Sequence, residues 1–213
     1  MIEPTRIIAI RHGETEWNVN ARMQGHLDIA LNDTGRWQAD RVAQALIDEP
    51  ITAIYTSDLL RAFDTAQAIS GELTVPAQSD TGLRERHFGE FQGRTLAELE
   101  ATQPGQAMRW RTRDPDYAPL GGESLVQFRG RVLDATQKLV ARHPGELIAL
   151  VTHGGVLDVL YRAATRVELQ AARTWALGNA SINRLLWTPD GFTLVGWADS
   201  RHLDAVPLDE TNG

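Results

Sequence analysis

The chain has 213 residues, 42% of them hydrophobic and 23% charged, the profile of an ordinary globular domain, and folding at this length buries roughly 70% of the unfolded surface, so a full core needs no covalent staple. Twenty-eight acidic residues stand against 21 Lys and Arg, and the net charge of -7 makes the chain a poor general partner for nucleic acid or an anionic membrane while leaving room for a local positive pocket. The absence of cysteine excludes disulfide scaffolds, thiolate catalysis and cysteine-ligated metals, and it fits a reducing, cytoplasmic setting.

The first apolar run, residues 7–10, is too short for a signal segment and follows an early Glu3 and Pro4; its branched side chains predict a strand covered on both faces. Residues 34–48 carry Ala39, Val42, Ala43, Leu46 and Ile47 at helical spacing behind Asn32, Asp33 and Thr34 as candidate N-caps. A second, shorter strand is predicted at 53–56 and a helix at 59–69, with Leu59, Ala62, Phe63, Ala66 and Ile69 on one side. Residues 103–122 are rich in Pro, Gly and Arg without a clean period, and predict a lid-like excursion over one face. The longest helix is expected at 124–143, a fully buried strand at 147–151 and a helix at 154–164. Runs at 181–187 and 192–198 flank Thr188-Pro189-Asp190-Gly191, a turn signal that predicts a closing hairpin. Strands alternating with helices and ending in a hairpin give a three-layer α/β/α sandwich with a mostly parallel, mixed sheet, here a single domain over 1–213. The sheet edge at the hairpin could pair with a second copy of the chain.

Two strands run into histidine. The first leads to Arg11-His12-Gly13-Glu14-Thr15, the later one to Thr152-His153-Gly154-Gly155. In open α/β sheets ligands bind beyond the carboxyl ends of the strands. If the two strands are parallel neighbours, His12 and His153 meet on one rim, and the glycines behind them allow close backbone approach and free amide groups for an anion. Arg61, in the first turn of the helix after Ser57-Asp58, faces the same rim. Read singly, a His after a strand is a polar loop residue and an Arg in a first helical turn is solvated; together they form an anion trap. A metal site is the rival for paired histidines, but no His-Glu-x-x-His or acidic cluster supplies further ligands. Glu85 between Arg84 and Arg86 reads on its own as a salt-bridge partner.

The segment Arg11-His12-Gly13-Glu14-Thr15-Glu16-Trp17-Asn18 resembles the signature of the histidine phosphatase superfamily, the phosphoglycerate mutase-like branch. Leu31-Asn32-Asp33-Thr34-Gly35, Ser57-Asp58-Leu59-Leu60-Arg61-Ala62, Leu83-Arg84-Glu85-Arg86, Gly121-Gly122-Glu123-Ser124 and Val151-Thr152-His153-Gly154-Gly155 resemble its further segments in the same order, over residues 6 to 202. The resemblance implies that His12 is a phosphoryl-accepting nucleophile, that Arg11, Arg61 and His153 clamp the phosphoryl oxygens, and that Glu85 is the acid and base. It implies substrate-pocket positions at Thr15, Asn18, Gln24 and Gly25, for which local turn hydrogen bonding is the alternative, and at Gly154. It implies no metal.

The resemblance also frames the choice between two reactions. The cofactor-dependent mutases carry Tyr, Lys and Asn where this chain has Phe88, Leu96 and Gly155, and a longer insertion than the stretch holding Arg109, Arg111 and Arg113. Three fewer polar groups and a shorter lid favour entry of water, hence hydrolysis of a small phosphorylated metabolite; the alternative is a phosphoglycerate mutase primed by 2,3-bisphosphoglycerate. Trp110 between Arg109 and Arg111 fits a lid over a small anion better than a nucleic-acid surface in so acidic a chain.

Overall fold

The computed structural model describes residues 3–204; both ends of the expected 1–213 domain lie outside them. In chain order the elements are β1 (Thr5–Arg11), α1 (Glu16–Val19), α2 (Asp33–Ala45), β2 (Ile51–Thr56), α3 (Leu60–Leu73), β3 (Ala77–Ser79), α4 (Leu96–Thr102), α5 (Pro104–Arg111), α6 (Leu125–Val140), β4 (Leu147–Thr152), α7 (Gly154–Thr165), β5 (Ile182–Thr188) and β6 (Gly191–Asp199).

The six strands form one sheet in the order β3-β2-β4-β1-β5-β6. The first four run parallel, and β5 and β6 add the expected antiparallel hairpin at one edge. Every residue of β4 is buried, as its unbroken apolar run requires of a central strand covered on both faces. Alternation along the strands divides the core in two. Ile7, Ala9, Ile148 and Leu150 pack with Phe128, Val132 and Leu139 of α6 and Val156 and Leu160 of α7. Ile8, Ile10, Ala149 and Val151 pack on the opposite face with Val42 of α2 and Ala62, Ala66 and Ile69 of α3. These are the three layers expected. Among the described residues, no helix is long and apolar enough to cross a membrane.

The helix starts follow local chemistry. Asn32 caps α2 by accepting from the Gly35 amide at 2.7 Å, and Ser124 and Gln127 form a reciprocal capping box on α6. The excursion departs from expectation: residues 103–122 contain α5, which follows α4 directly and starts on Pro104 as its first helical residue. Phe91, Leu99, Ala107 and Tyr117 give it a small core of its own. The strand β3 is also unforeseen; three residues are too few for a periodic signal.

Candidate active site

The register of β1 on β4 pairs Arg11 with Thr152, so the next residue of each strand, His12 and His153, emerges at the same edge. Their ring centroids are 5.2 Å apart, within joint reach of one oxyanion. Neither ring is exposed to any extent that matters for solvation, and His153 is fully buried.

His12 Nδ1 lies 2.6 Å from the carbonyl oxygen of Gly13. A carbonyl only accepts, so Nδ1 carries the hydrogen and Nε2 keeps its lone pair. Burial, then the charges of Arg61 and Arg11, hold the His12 pKa well below the usual histidine value. The ring is therefore neutral at pH 7, as a nitrogen nucleophile must be. His153 is held neutral by the same causes, burial first, and among the described residues both of its ring nitrogens are without partners. A buried ring with two unmet polar atoms is costly unless a ligand meets one of them.

The guanidiniums are held from behind by carbonyls. Arg61 donates to the carbonyls of Gly25 at 2.9 Å and Leu27 at 3.0 Å, and Arg11 donates to the carbonyl of Leu177. The Nε atoms of both are buried without partners among the described residues. Burial lowers the Arg61 pKa to about 10, so it stays cationic at neutral pH. Arg11, His12, Asn18, Gln24, Gly25, Arg61, Glu85 and Phe88 line a polar cup of about 160 Å³, which Arg22 and Met23 complete. Among the described residues no group of three His, Asp or Glu side chains is placed to hold a metal ion.

Glu85 is not a salt-bridge partner of its neighbours. Arg84 turns to Asp58, with Nε donating to Oδ1 at 2.7 Å. Arg86 donates to the carbonyls of Glu123 and Tyr117 at 2.8 and 2.9 Å. The Glu85 carboxylate instead accepts from its neighbour's amide, Arg86 N, at 2.8 Å and from Gly155 N at 3.0 Å. A Cβ on Gly155 would sit 2.1 Å from Glu85 Oε1, so glycine is what lets the carboxylate seat on the start of α7.

Several expected positions take other duties. Thr15 does not line the cup; its hydroxyl and amide both bond to Asn18 Oδ1 at 3.1 Å, capping α1, so the local-turn alternative holds there. Asn18 spends its Oδ1 on Thr15 and on Asn179 at 3.2 Å, which leaves its Nδ2 for a ligand. Gly13 does approach backbone closely, but the backbone is that of Gly35, 2.3 Å from a built Cβ, and its amide donates to Thr65 Oγ1 at 3.0 Å. The Gly155 amide is likewise committed to Glu85. The anion would therefore meet side chains here, not those two amides. Gly154 lies in the wall of a second cavity of about 450 Å³ that opens from the cup and shares Arg11, Glu85 and Phe88 with it. Phe88 and Gly155 line these cavities, whereas Leu96 packs on the small core of the excursion.

Sequence reasoning missed the residues that hold the site. Arg131 of α6 donates to the carbonyls of Gly82, Arg84 and Glu85 at 3.0 to 3.1 Å and to both oxygens of Glu123 at 2.7 and 2.8 Å. His26 Nε2 donates to the Glu85 carbonyl at 2.8 Å. Asn179 Nδ2 donates to the His12 carbonyl at 3.0 Å. A half-buried Arg seven residues past a helix cap is the one faint signal.

Comparison with known proteins agrees with this geometry. The family model of the histidine phosphatase superfamily (branch 1) matches residues 7–200. The chain is 41% identical to phosphoglycerate mutase-like protein 4 of Arabidopsis thaliana, over 95% of this chain and 89% of that one. It is 37% identical to the metal-independent phosphoserine phosphatase of Arabidopsis thaliana, over 96% and 85%. The solved structure of a mycobacterial glucosyl-3-phosphoglycerate phosphatase in complex with VO3 superposes with a TM-score of 0.82 and 36% identity, covering 92% of this chain and 99% of that one.

Proposed function

We propose, on the premise that the chain belongs to branch 1 of the histidine phosphatase superfamily, a residue-by-residue route for its reaction. The protein is a phosphatase of small phosphorylated metabolites. In the first half-reaction the Nε2 lone pair of His12 attacks phosphorus; the ester P–O bond breaks and its electron pair leaves with the alcohol oxygen, which takes a proton from Glu85. In the second, water gives a proton to Glu85 and attacks phosphorus; the N–P bond breaks and its pair returns to Nε2. Arg11, Arg61, His153 and Asn18 hold the equatorial oxygens, where charge gathers in the transition state. Gln24 and Gly25 shape the cup, and Gly154 shapes the neighbouring wall. No step calls for a metal or a bisphosphorylated cofactor.

One observation carries this reading: the neutral tautomer of His12, with Nδ1 donating to the Gly13 carbonyl at 2.6 Å, leaves a nucleophilic nitrogen beside two carbonyl-anchored arginines. Hydrolysis is favoured over isomerisation because the mutase positions Phe88 and Gly155 leave apolar surface beside the leaving oxygen. The partner is the metabolite itself, and cysteine-free composition favours a cytoplasmic setting. The test is release of inorganic phosphate from small phosphate esters with and without chelator. Turnover that ignores chelator and falls by at least about a thousandfold in His12→Ala fits the route; chelator-sensitive turnover, or phosphoglycerate isomerisation outrunning phosphate release, contradicts it.

A further inference from the structure

Two peptide planes meet at Gly13. The carbonyl that receives His12 Nδ1 belongs to the 13–14 plane. The amide of that same plane, Glu14 N, donates to Gln38 Oε1 of α2 at 2.8 Å. A backbone N–H only donates, which decides that the Gln38 amide turns its oxygen to the loop. In a trans peptide the N–H and C=O lie in one plane and point opposite ways. The acceptor that fixes Glu14 N therefore also fixes the direction of the Gly13 carbonyl.

The preceding plane, 12–13, is gripped at both ends. Gly13 N donates to Thr65 Oγ1 at 3.0 Å, and the His12 carbonyl accepts from Asn179 Nδ2 at 3.0 Å. Thr65 is fully buried. Having accepted from Gly13, its hydroxyl donates to the Arg61 carbonyl at 2.8 Å. One hydroxyl thus joins the loop of the nucleophile to α3, which carries a phosphoryl clamp. Packing enforces the same placement. A Cβ on Gly35 would lie 2.0 Å from the Glu14 carbonyl oxygen, so the loop presses on the first turn of α2. The Asn32 amide donates to that oxygen at 3.0 Å. Neither Gln38 nor Thr65 lines the cup.

A neutral histidine ring carries its hydrogen on either nitrogen, and the partner of one nitrogen selects the form. Only the form with hydrogen on Nδ1 leaves Nε2 a lone pair for phosphorus. We infer that Gln38 and Thr65 are positioning residues of the nucleophile: by holding the amides on either side of Gly13 they aim its carbonyl at His12 Nδ1 and so select the reactive tautomer. The inference rests on the reading of His12 as the nucleophile. The two residues act through different planes. Gln38 grips the plane that contains the carbonyl itself. Thr65 grips the plane before it and so limits rotation at Gly13, where the lack of a side chain leaves the backbone most free to turn.

Nitrogen-15 NMR of the His12 ring reads the tautomer without turnover. In the natural protein Nδ1 should be the hydrogen-bearing nitrogen and Nε2 the bare one. Gln38→Met removes the acceptor at similar side-chain length from a half-buried helix position. The two ring resonances should then move toward each other as the tautomers mix, and kcat on phenyl phosphate should fall roughly tenfold to a hundredfold with KM little changed. Thr65→Val should act in the same way. Gln38→Glu and Thr65→Ser, which keep an oxygen acceptor, should restore the single tautomer and most of the rate. The Gln38 pair tests the inference even where the buried Thr65→Val fails to fold. Resonances unmoved in Gln38→Met or in folded Thr65→Val, or mixed tautomers with kcat intact, overturn the inference. Undiminished hydrolysis by His12→Ala would instead sink the phosphatase route, while resonances that still move in Gln38→Met would leave the tautomer selection standing.

Discussion

Glu85 shows how a side chain whose own sequence context reads as a salt bridge is freed for the proton transfer proposed for it: its neighbours are bound elsewhere, and two amides, not two cations, hold it. Gly155→Ala should displace it, because the new methyl meets Oε1 at 2.1 Å. The loss should be selective. Hydrolysis of alkyl phosphates, whose leaving oxygen needs a proton, should drop at least about a hundredfold, while p-nitrophenyl phosphate, with its stable leaving anion, should suffer far less. Equal losses on both esters would separate the variant's defect from proton donation. The paired histidines make a second prediction. Both are held well below the usual value of 6.5, so His12 remains unprotonated as pH falls through that value, and the acid limb of kcat/KM should lie well below it. The sign for stability is the opposite of a histidine that gains a partner. Below 6.5 the unfolded chain takes up protons that folded His12 and His153 refuse, so stability is complete above that pH and declines beneath it, by up to about 1.4 kcal/mol per pH unit for each ring. The half-buried His26 and His202 shift the same way. Urea titrations from pH 7.5 to 5.5 read the slope, which should be shallower in His153→Gln. Arg11, His12, Arg61 and His153 were legible because each sits at a strand end or first helical turn, where topology alone sets position. Thr15 was not, since a short hydroxyl after a strand serves a cap as readily as a ligand.

At the scale of elements, α6 does more than cover the sheet. Its Arg131 gathers three carbonyls of the segment bearing Glu85, those of Gly82, Arg84 and Glu85 itself, and braces itself on Glu123. It never reaches the cup, so it is a positioning residue. Arg131→Met should lower kcat on alkyl phosphates with KM little changed, and Arg131→Lys should restore only part, because one ammonium cannot match the spread of a guanidinium fork. A parallel loss in melting temperature with unchanged kcat would assign it to the core instead. Such a residue is invisible in sequence: its partners are backbone carbonyls more than 40 positions away. The helices α4 and α5 were hidden differently. They span seven and eight residues, and each buries a single side chain of its own, Leu99 or Ala107, which is too little to draw a period. By contrast β1, β4, α2, α3, α6 and α7 were read correctly within a few residues, because each lays a full apolar face or an unbroken apolar run against the core.

At the scale of the whole molecule, two fields compete over an anionic substrate. The net charge of -7 repels it at long range; the arginines around the cup and cavity attract it at short range. Salt screens both, and the Debye length falls from about 10 Å at 0.1 M to about 3 Å at 1 M. Because low-dielectric walls focus the local field, kcat/KM should fall as salt rises over this range. A rise would mean that the global repulsion governs capture.

The claim on which the account turns is that phosphorus becomes bonded to one nitrogen of His12 during each turnover. Protein quenched in alkali during steady hydrolysis, digested and analysed by mass spectrometry, should carry a single phosphoryl group on the peptide containing His12, labile to acid, and His12→Ala should carry none and release no phosphate above background. A phosphoryl group on any other side chain, or undiminished hydrolysis by His12→Ala, would contradict it.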